Sequence, residues 1–227
     1  MQIAIDTSTD IASLALVQGC EIISELTWRC GQNHTVELFP SLDFLLKKSG
    51  RDTKSVDGIF VAMGPGSFNG LRVGVSTAKG LAFSLGIPII GISTLESMAY
   101  QHSITGLPVC AVLNAGREEI AVAIYQNKPR KGWSQLAAEH LTTVNALTRE
   151  VKEKTVFCGE YNPATALQLK KLFKSKAILP TPANRLRRSA YIAELGHKRF
   201  EVGDFDNPST LQPLYLRRPP ITERKKA

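Results

Sequence analysis

The chain has 227 residues, 43% of them hydrophobic and 21% charged, with a formal net charge of +8. That supplies a substantial core for one or two domains and excludes a chain that is disordered as a whole. No apolar run approaches the roughly 18 residues of a membrane span, and Met1-Gln2-Ile3-Ala4-Ile5-Asp6 lacks the basic and apolar regions of a secretory signal, so a soluble, cytoplasmic protein is expected.

Ile3 and Ile5 alternate with polar or small neighbours and predict a first strand. Asp6-Thr7-Ser8-Thr9-Asp10 is a polar turn, Ala12, Leu14 and Leu16 alternate again, and Gln18-Gly19 leads into a third strand, Glu21–Thr27. Period-two runs joined by short turns predict an antiparallel meander. A helix is predicted from about Thr35 to Lys48, with Val36, Phe39, Leu42 and Leu46 on one stripe and Leu38 and Leu45 beside it. Pro40 is comfortable only in a first turn, so the helix is expected to start near Glu37 or to kink. Gly58–Met63 reads as a strand, Phe68–Leu85 as the clearest helix, and Ile89–Ile92 as a strand. Ser93 or Thr94 then caps a helix to about His102.

The pattern starts over at Pro108–Leu113 and Ile120–Tyr125, two strands joined by Asn114-Ala115-Gly116-Arg117. Asn127–Ser134 is a polar hairpin tip and Leu136–Leu141 the returning strand. Helices at Val144–Lys152 and Pro163–Phe173 alternate with strands at Val156–Cys158 and Ala177–Leu179. A long helix, Leu186–Phe200, precedes a proline-broken tail, Pro208–Pro220. The order βββαβα thus occurs twice. Two such halves facing each other across a cleft make the α/β arrangement of the actin, sugar-kinase and heat-shock-chaperone (ASKHA) superfamily. The expected units are residues 1–104, residues 105–185, and a C-terminal helix with a basic tail, 186–227.

Cys20, Cys30, Cys110 and Cys158 form no CxxC pair and fit no zinc spacing, so buried reduced thiols are expected. Charge is uneven. Residues 1–126 hold 8 Lys/Arg and 11 Asp/Glu, a net of −3; residues 127–227 hold 20 and 9, a net of +11. Lys170, Lys171, Lys174 and Lys176 form one cluster, Arg185, Arg187 and Arg188 a second, and Arg217, Arg218, Arg224, Lys225 and Lys226 a third. Such clusters serve either as solvated helix faces or as a nucleic-acid surface. On the second reading Lys170, Lys171, Lys174, Arg187 and Arg188 are the candidate contacts.

In the helix after Gly64-Pro65-Gly66-Ser67, residues Phe68, Leu71, Val75, Ala78 and Ala82 recur at spacings of 3 and 4, the seam of a helix packed against another helix. Gly70 and Gly74 lie one turn apart, each weakening the helix by about 0.5–1 kcal/mol relative to alanine, which implies that another backbone passes close. That neighbour is either the chain's own sheet and core or a partner. The turn matches neither the Walker loop nor the dinucleotide fingerprint, which leaves Ser67 as a plain helix cap.

Gly64-Pro-Gly-Ser-Phe-Asn-Gly-Leu-Arg72 resembles the signature of the TsaB (YeaZ) family, usually G-P-G-S-F-T-G-[LV]-R, with Asn69 in place of threonine. Ile5-Asp6-Thr7-Ser8-Thr9, His34-Thr35, Leu38-Phe39-Pro40, Gly91-Ile92-Ser93-Thr94-Leu95 and Pro213-Leu214-Tyr215-Leu216-Arg217 are similar to further family stretches, spread over nearly the whole chain. The resemblance implies two RNase H-like halves. It also implies a non-catalytic scaffold that pairs through its first two helices with itself or with the catalytic paralogue TsaD, and through that pair with a TsaE-like ATPase. The pathway is formation of threonylcarbamoyladenosine in ANN-decoding tRNA. The implied interface residues are Val36, Phe39, Leu42, Phe68, Leu71, Arg72 and Val75, so Glu at Leu71 or Val75 is expected to break pairing and leave the fold intact.

The superfamily's phosphate hairpin usually reads Asp-x-Gly-Thr/Ser. Here Asp6-Thr7-Ser8-Thr9 carries serine at the glycine position, which makes ATP a weakly supported ligand of that cleft. Asn114-Ala115-Gly116-Arg117 stands where family members often carry Asp-Ala-Arg. The only histidines, His34, His102, His140 and His197, are too far apart for the H-x-x-x-H metal pair of the catalytic relatives and are expected to be surface or capping residues. No metal or cofactor is therefore expected. A stand-alone kinase of the same superfamily and an M22-type metallopeptidase are the weaker alternatives.

Overall fold

The computed structural model describes residues 1–19 and 21–217. The chain builds two five-stranded sheets of the same topology. In the first, β1 (Gln2–Asp6), β2 (Ile11–Gln18) and β3 (Glu21–Arg29) form the meander, and β4 (Gly58–Gly64) and β5 (Ile89–Ser93) extend it in parallel to β1, giving the order β3-β2-β1-β4-β5. The second repeats this with β6 (Val109–Gly116), β7 (Glu119–Lys128), β8 (Gly132–Thr142), β9 (Thr155–Glu160) and β10 (Ala177–Ile178), in the order β8-β7-β6-β9-β10. These are the two RNase H-like lobes expected from the element order.

Alternation along the strands determines what each face carries. Ile3, Ile5, Leu14, Leu16, Ile59, Val61 and Ile89 point to one side of the first sheet, where α1 (His34–Lys48) and α2 (Phe68–Leu85) cover them with Leu38, Leu42, Leu45, Val75, Ala78 and Ala82. Ala4, Ala15, Phe60, Ala62, Ile90 and Ile92 point the other way, onto Ile192, Ala193 and Leu195 of α6 (Ser189–Glu201). In the second sheet, Cys110, Val112, Val122 and Phe157 pack beneath α4 (Val144–Leu147) and α5 (Pro163–Phe173). Val109, Ala111, Ala123 and Val156 pack against Leu95 and Met98 of α3 (Thr94–Tyr100). The last helix of each half thus covers the other half's sheet, and α3 and α6 touch. The C-terminal helix, expected as a separate unit with the tail, is part of the first lobe's core.

Three local expectations change. Helix α1 begins at His34 and runs through Pro40 to Lys48; both Pro40 and Val36, whose carbonyl loses its i+4 donor there, face solvent, where that loss is cheapest. The helix expected at Val144–Lys152 is one α-helical turn. The chain then curls, with Val151 N–H bonded to the Leu147 carbonyl, to bring Val151 into the core. Strands β7 and β8 run to Lys128 and from Gly132, into the predicted polar tip, because polar residues face water on an edge hairpin as readily as in a loop. Cys30, Cys110 and Cys158 are buried free thiols, and burial pushes Cys30 to about 11 and Cys158 to about 12; Cys20 lies outside the described residues.

The glycine row of α2 does receive a close backbone, and it is the chain's own. A Cβ on Gly70 would sit 2.1 Å from the Thr7 carbonyl oxygen, one on Gly74 2.2 Å from Thr7 Oγ1, and one on Gly66 2.1 Å from the Ser8 carbonyl oxygen. Thr7 Oγ1 donates to the Gly70 carbonyl at 2.7 Å across this contact. Gly80, further along the same helix, has nothing within 4 Å. Gly70→Ala is therefore expected to cost about 1–3 kcal/mol by overpacking. Gly80→Ala should instead gain about 0.5–1 kcal/mol from helix propensity. Urea unfolding of the two variants checks the opposite signs.

Candidate functional site

Strand β1 ends at Asp6, and the turn that follows, Thr7-Ser8-Thr9, leads to the cleft between the lobes. The Asp6 carboxylate accepts the Ser8 N–H at 2.9 Å and the Ser8 hydroxyl at 2.7 Å. Its other oxygen lies 2.9 Å from Nε of Arg187, just ahead of α6. The same guanidinium donates to Ser8 Oγ at 2.5 Å, to Thr9 Oγ1 at 2.9 Å and to the Ile11 carbonyl, and it stands 3.7 Å from Glu160 at the end of β9. Arg187 is only 2% exposed and Asp6 is fully buried. A planar donor with five N–H groups suits this ring of acceptors as an ammonium would not. The hairpin of the first lobe, the terminal helix and the second sheet meet at this one cation.

This arrangement corrects two expectations. Arg187 is buried on Asp6 and is not on the basic surface. Of Asp6, Thr7, Ser8 and Thr9, only Thr9 lines the open cleft; Asp6 is turned onto Arg187, and Thr7 onto α2. Arg188, also expected to face RNA, is tied to Glu25 by two of its nitrogens, at 2.5 and 2.7 Å, and its basicity rises for that reason. His34, expected at the surface or as a cap, is 4% exposed; since its partner is a carbonyl, Nε2–H donates, to Thr9 at 2.8 Å. No sequence pattern tied residue 187 to residue 6. The one available signal was a carboxylate directly after the apolar run Ile3-Ala4-Ile5, where a buried charge calls for a cation from elsewhere in the chain.

The cleft itself encloses about 740 Å³. Thr9–Ile11 and Arg29 line it from the first lobe, Leu113–Ala115 and Glu160 from the second, and the start of α2 from one side. Ser67 caps that helix by accepting the Gly70 N–H at 3.3 Å. The C-terminal stretch closes the fourth side. Leu211 is buried in the first core, Leu214 N–H bonds to the Met63 carbonyl at 2.7 Å, and Tyr215 packs on Phe68 with ring centroids 5.2 Å apart. Arg217 then reaches Glu119 and the Ala115 carbonyl of the second lobe. Residues 218–227, with Arg218, Arg224, Lys225 and Lys226 of the third basic cluster, lie outside the described residues. Among the described residues no group of three His, Cys, Asp or Glu is placed to hold a metal ion, and no helix is long and apolar enough to cross a membrane.

The implied interface divides sharply. Leu42, Leu71 and Val75 are 4%, 0% and 3% exposed within the monomer. The apolar seam of α2 faces its own sheet, because a helix lying on Ile59 and Val61 must turn its most regular apolar stripe inward. Those three assignments are therefore wrong. Val36 and Phe39 are 70% and 55% exposed, Arg72 is exposed and stacked over the half-buried Phe68 at 4.1 Å, and Phe44 and Phe83 add 54% and 87%. Glu37 anchors α1 by accepting the Trp28 indole N–H at 2.7 Å, which holds its carboxyl below the usual range.

Comparison with known proteins agrees with this build. The family model of TsaD, tRNA N6-adenosine threonylcarbamoyltransferase, matches residues 28–189. The tRNA threonylcarbamoyladenosine biosynthesis protein TsaB of Bacillus subtilis is 31% identical over 219 residues, 95% of this chain and 93% of that protein. A crystal structure from Pseudomonas aeruginosa, an uncharacterized protein with similarity to peptidase YeaZ, superposes with a TM-score of 0.81 at 22% identity, over 95% of this chain and 99% of the other. A ROK hexokinase of Thermus thermophilus reaches a TM-score of 0.50 at 11% identity, over 87% and 99%. The two structures share the two-lobed ASKHA fold, and the likeness to B. subtilis TsaB runs through both lobes and the terminal helix: the chain belongs to the TsaB family.

Proposed function

We propose that this chain acts in the biosynthesis of threonylcarbamoyladenosine in ANN-decoding tRNA as a non-catalytic scaffold subunit that binds and activates a TsaD-like paralogue. The observation that carries the reading is the apolar residue set left in water on one helical layer: Val36, Phe39 and Phe44 of α1 and Phe83 of α2. Large aromatic side chains at such exposure mark a surface that another protein covers. In the absence of the paralogue the same face pairs two copies of this chain, and the heteromeric pair recruits a TsaE-like ATPase. Transfer of the threonylcarbamoyl group falls to the paralogue.

The buried pair Asp6–Arg187 supports the absence of ATP chemistry in this subunit. A kinase of this architecture needs a free carboxylate and a bare backbone turn at the hairpin, whereas here a guanidinium occupies the carboxylate and Ser8 stands where glycine is needed. Mixing the full chain with the TsaD-like protein of its own organism and finding one co-eluting species is the expected result. Separate elution of two folded proteins at micromolar concentration would overturn the scaffold reading. ATP consumption or a bound stoichiometric metal in the purified chain alone would favour the kinase or the metallopeptidase instead.

A further inference from the structure

Sheet topology gathers a second charged surface at the opposite end of the second lobe from the cleft. The cleft lies at the C-terminal ends of β6 and β9, at Leu113–Ala115 and Glu160. At the N-terminal ends, the parallel register Ala177↔Thr155 on strands about 4.8 Å apart brings Lys154 and Lys176, the residues just ahead of each strand, to the same end. Helix α5 runs back between these two strands, so its last turn, with Lys170 and Lys171, arrives at the same end, and Lys174 follows in the connection. Lys152 joins them directly: its carbonyl accepts Lys176 Nζ at 2.7 Å, and its own Nζ donates to the Thr148 carbonyl at 3.1 Å. All six lysines are exposed. Among the described residues none of them lies within 4 Å of a carboxylate. Nearby, Glu150 is engaged by His140 at 3.1 Å, and Glu153 is the single acid in the run from 151 to 154.

We infer that this end of the second lobe, built from Lys152, Lys154, Lys170, Lys171, Lys174 and Lys176, is a contact for the sugar-phosphate backbone of RNA. The surface has the charge a polyanion needs and spreads it over the segments entering two strands and a helix end rather than around a pocket, which fits an extended backbone and not a small anion. Lysines, as flexible point charges, grip phosphates without reading bases. The inference rests on the proposed role in tRNA modification, which favours RNA over other polyanions. It also moves the contact off Arg187 and Arg188 and adds Lys152, Lys154 and Lys176.

The test is fluorescence anisotropy of a labelled, unmodified tRNA transcript titrated with the full chain, alone and with its paralogue, from 50 to 200 mM NaCl. The quadruple variant K152Q/K154Q/K174Q/K176Q should bind about tenfold more weakly at the low end, and its log–log salt slope should shrink by up to about 0.9 per lysine. K47Q/K48Q/R51Q/K54Q removes the same charge from the first lobe and should leave the slope unchanged. Equal thermal midpoints show that both variants are folded. Equal losses in both variants, or an unchanged slope in the first, overturn the inference. So does binding to phosphatidylglycerol vesicles that the first variant loses while its tRNA binding persists. Co-elution with the paralogue is scored separately, so a failed RNA contact and a failed scaffold reading give different results.

Discussion

Arg187→Met is expected to lower unfolding stability by about 3–5 kcal/mol, the usual loss when one member of a buried ion pair is removed. The substitution keeps most of the side chain's volume, so packing contributes little and the orphaned Asp6 carboxylate dominates. That carboxylate is fully buried and would keep only the Ser8 N–H and hydroxyl as donors. Ser8 Oγ, Thr9 Oγ1 and the Ile11 carbonyl each lose a donor as well. The second step is diagnostic. Asp6→Leu in the Arg187→Met background removes the uncompensated charge and should recover a large part of the loss, because an apolar pair of similar volume replaces a buried ion pair nearly neutrally. Urea unfolding of the four proteins closes the cycle, with a coupling energy of about 2 kcal/mol or more expected between residues in direct contact. A single-variant loss below about 1 kcal/mol, or strict additivity, would mean that Arg187 merely fills space.

The contrast between what was legible in the sequence and what was not follows from which interactions are local. Period-two and period-3.6 patterns report a chain's own faces, so the meander, the helix Phe68–Leu85 with its Ser67 cap, and the repeated element order could all be read. The glycine row also announced a close backbone. What the pattern cannot carry is the identity of the neighbour. Thr7 lies far from Gly70 and Gly74 in sequence, and nothing in the helix distinguishes its own hairpin from another subunit. Arg187 illustrates the same limit: in sequence it is one of three arginines in a basic run, and only the packing of α6 across the first sheet carries it to Asp6. Arg188, its neighbour, turns to Glu25 on the edge strand.

Helix sidedness yields the second large effect, as a pair of charge insertions with opposite readouts. Val75 is 3% exposed and packed in the core over the first sheet. Val75→Glu therefore buries a carboxylate in that core, where Lys79, one turn on, is already engaged by the Leu211 carbonyl at 3.1 Å, and the expected outcome is an unfolded or insoluble chain, reversing the expectation that this change leaves the fold intact. Phe39 is 55% exposed on the solvent side of α1, flanked by Val36 and Pro40. Phe39→Glu leaves no cavity, and surface changes of this kind stay within about 0.5 kcal/mol of the parent stability. Its cost falls on association instead. An aromatic anchor at an interface contributes about 2 kcal/mol or more, which is about thirtyfold in the dissociation constant for the TsaD-like partner, with Val36→Asp weakening it further. The measurement pairs circular dichroism melting with titration of the partner by light scattering or calorimetry. A Phe39→Glu chain that melts normally and still binds with the parent affinity removes α1 from the interface, whatever the fate of Val75→Glu. Two helices share one sheet, so the residues that hold the monomer and those left for a partner must lie on opposite sides of the same few turns, and only the outward set can be changed without unfolding the chain.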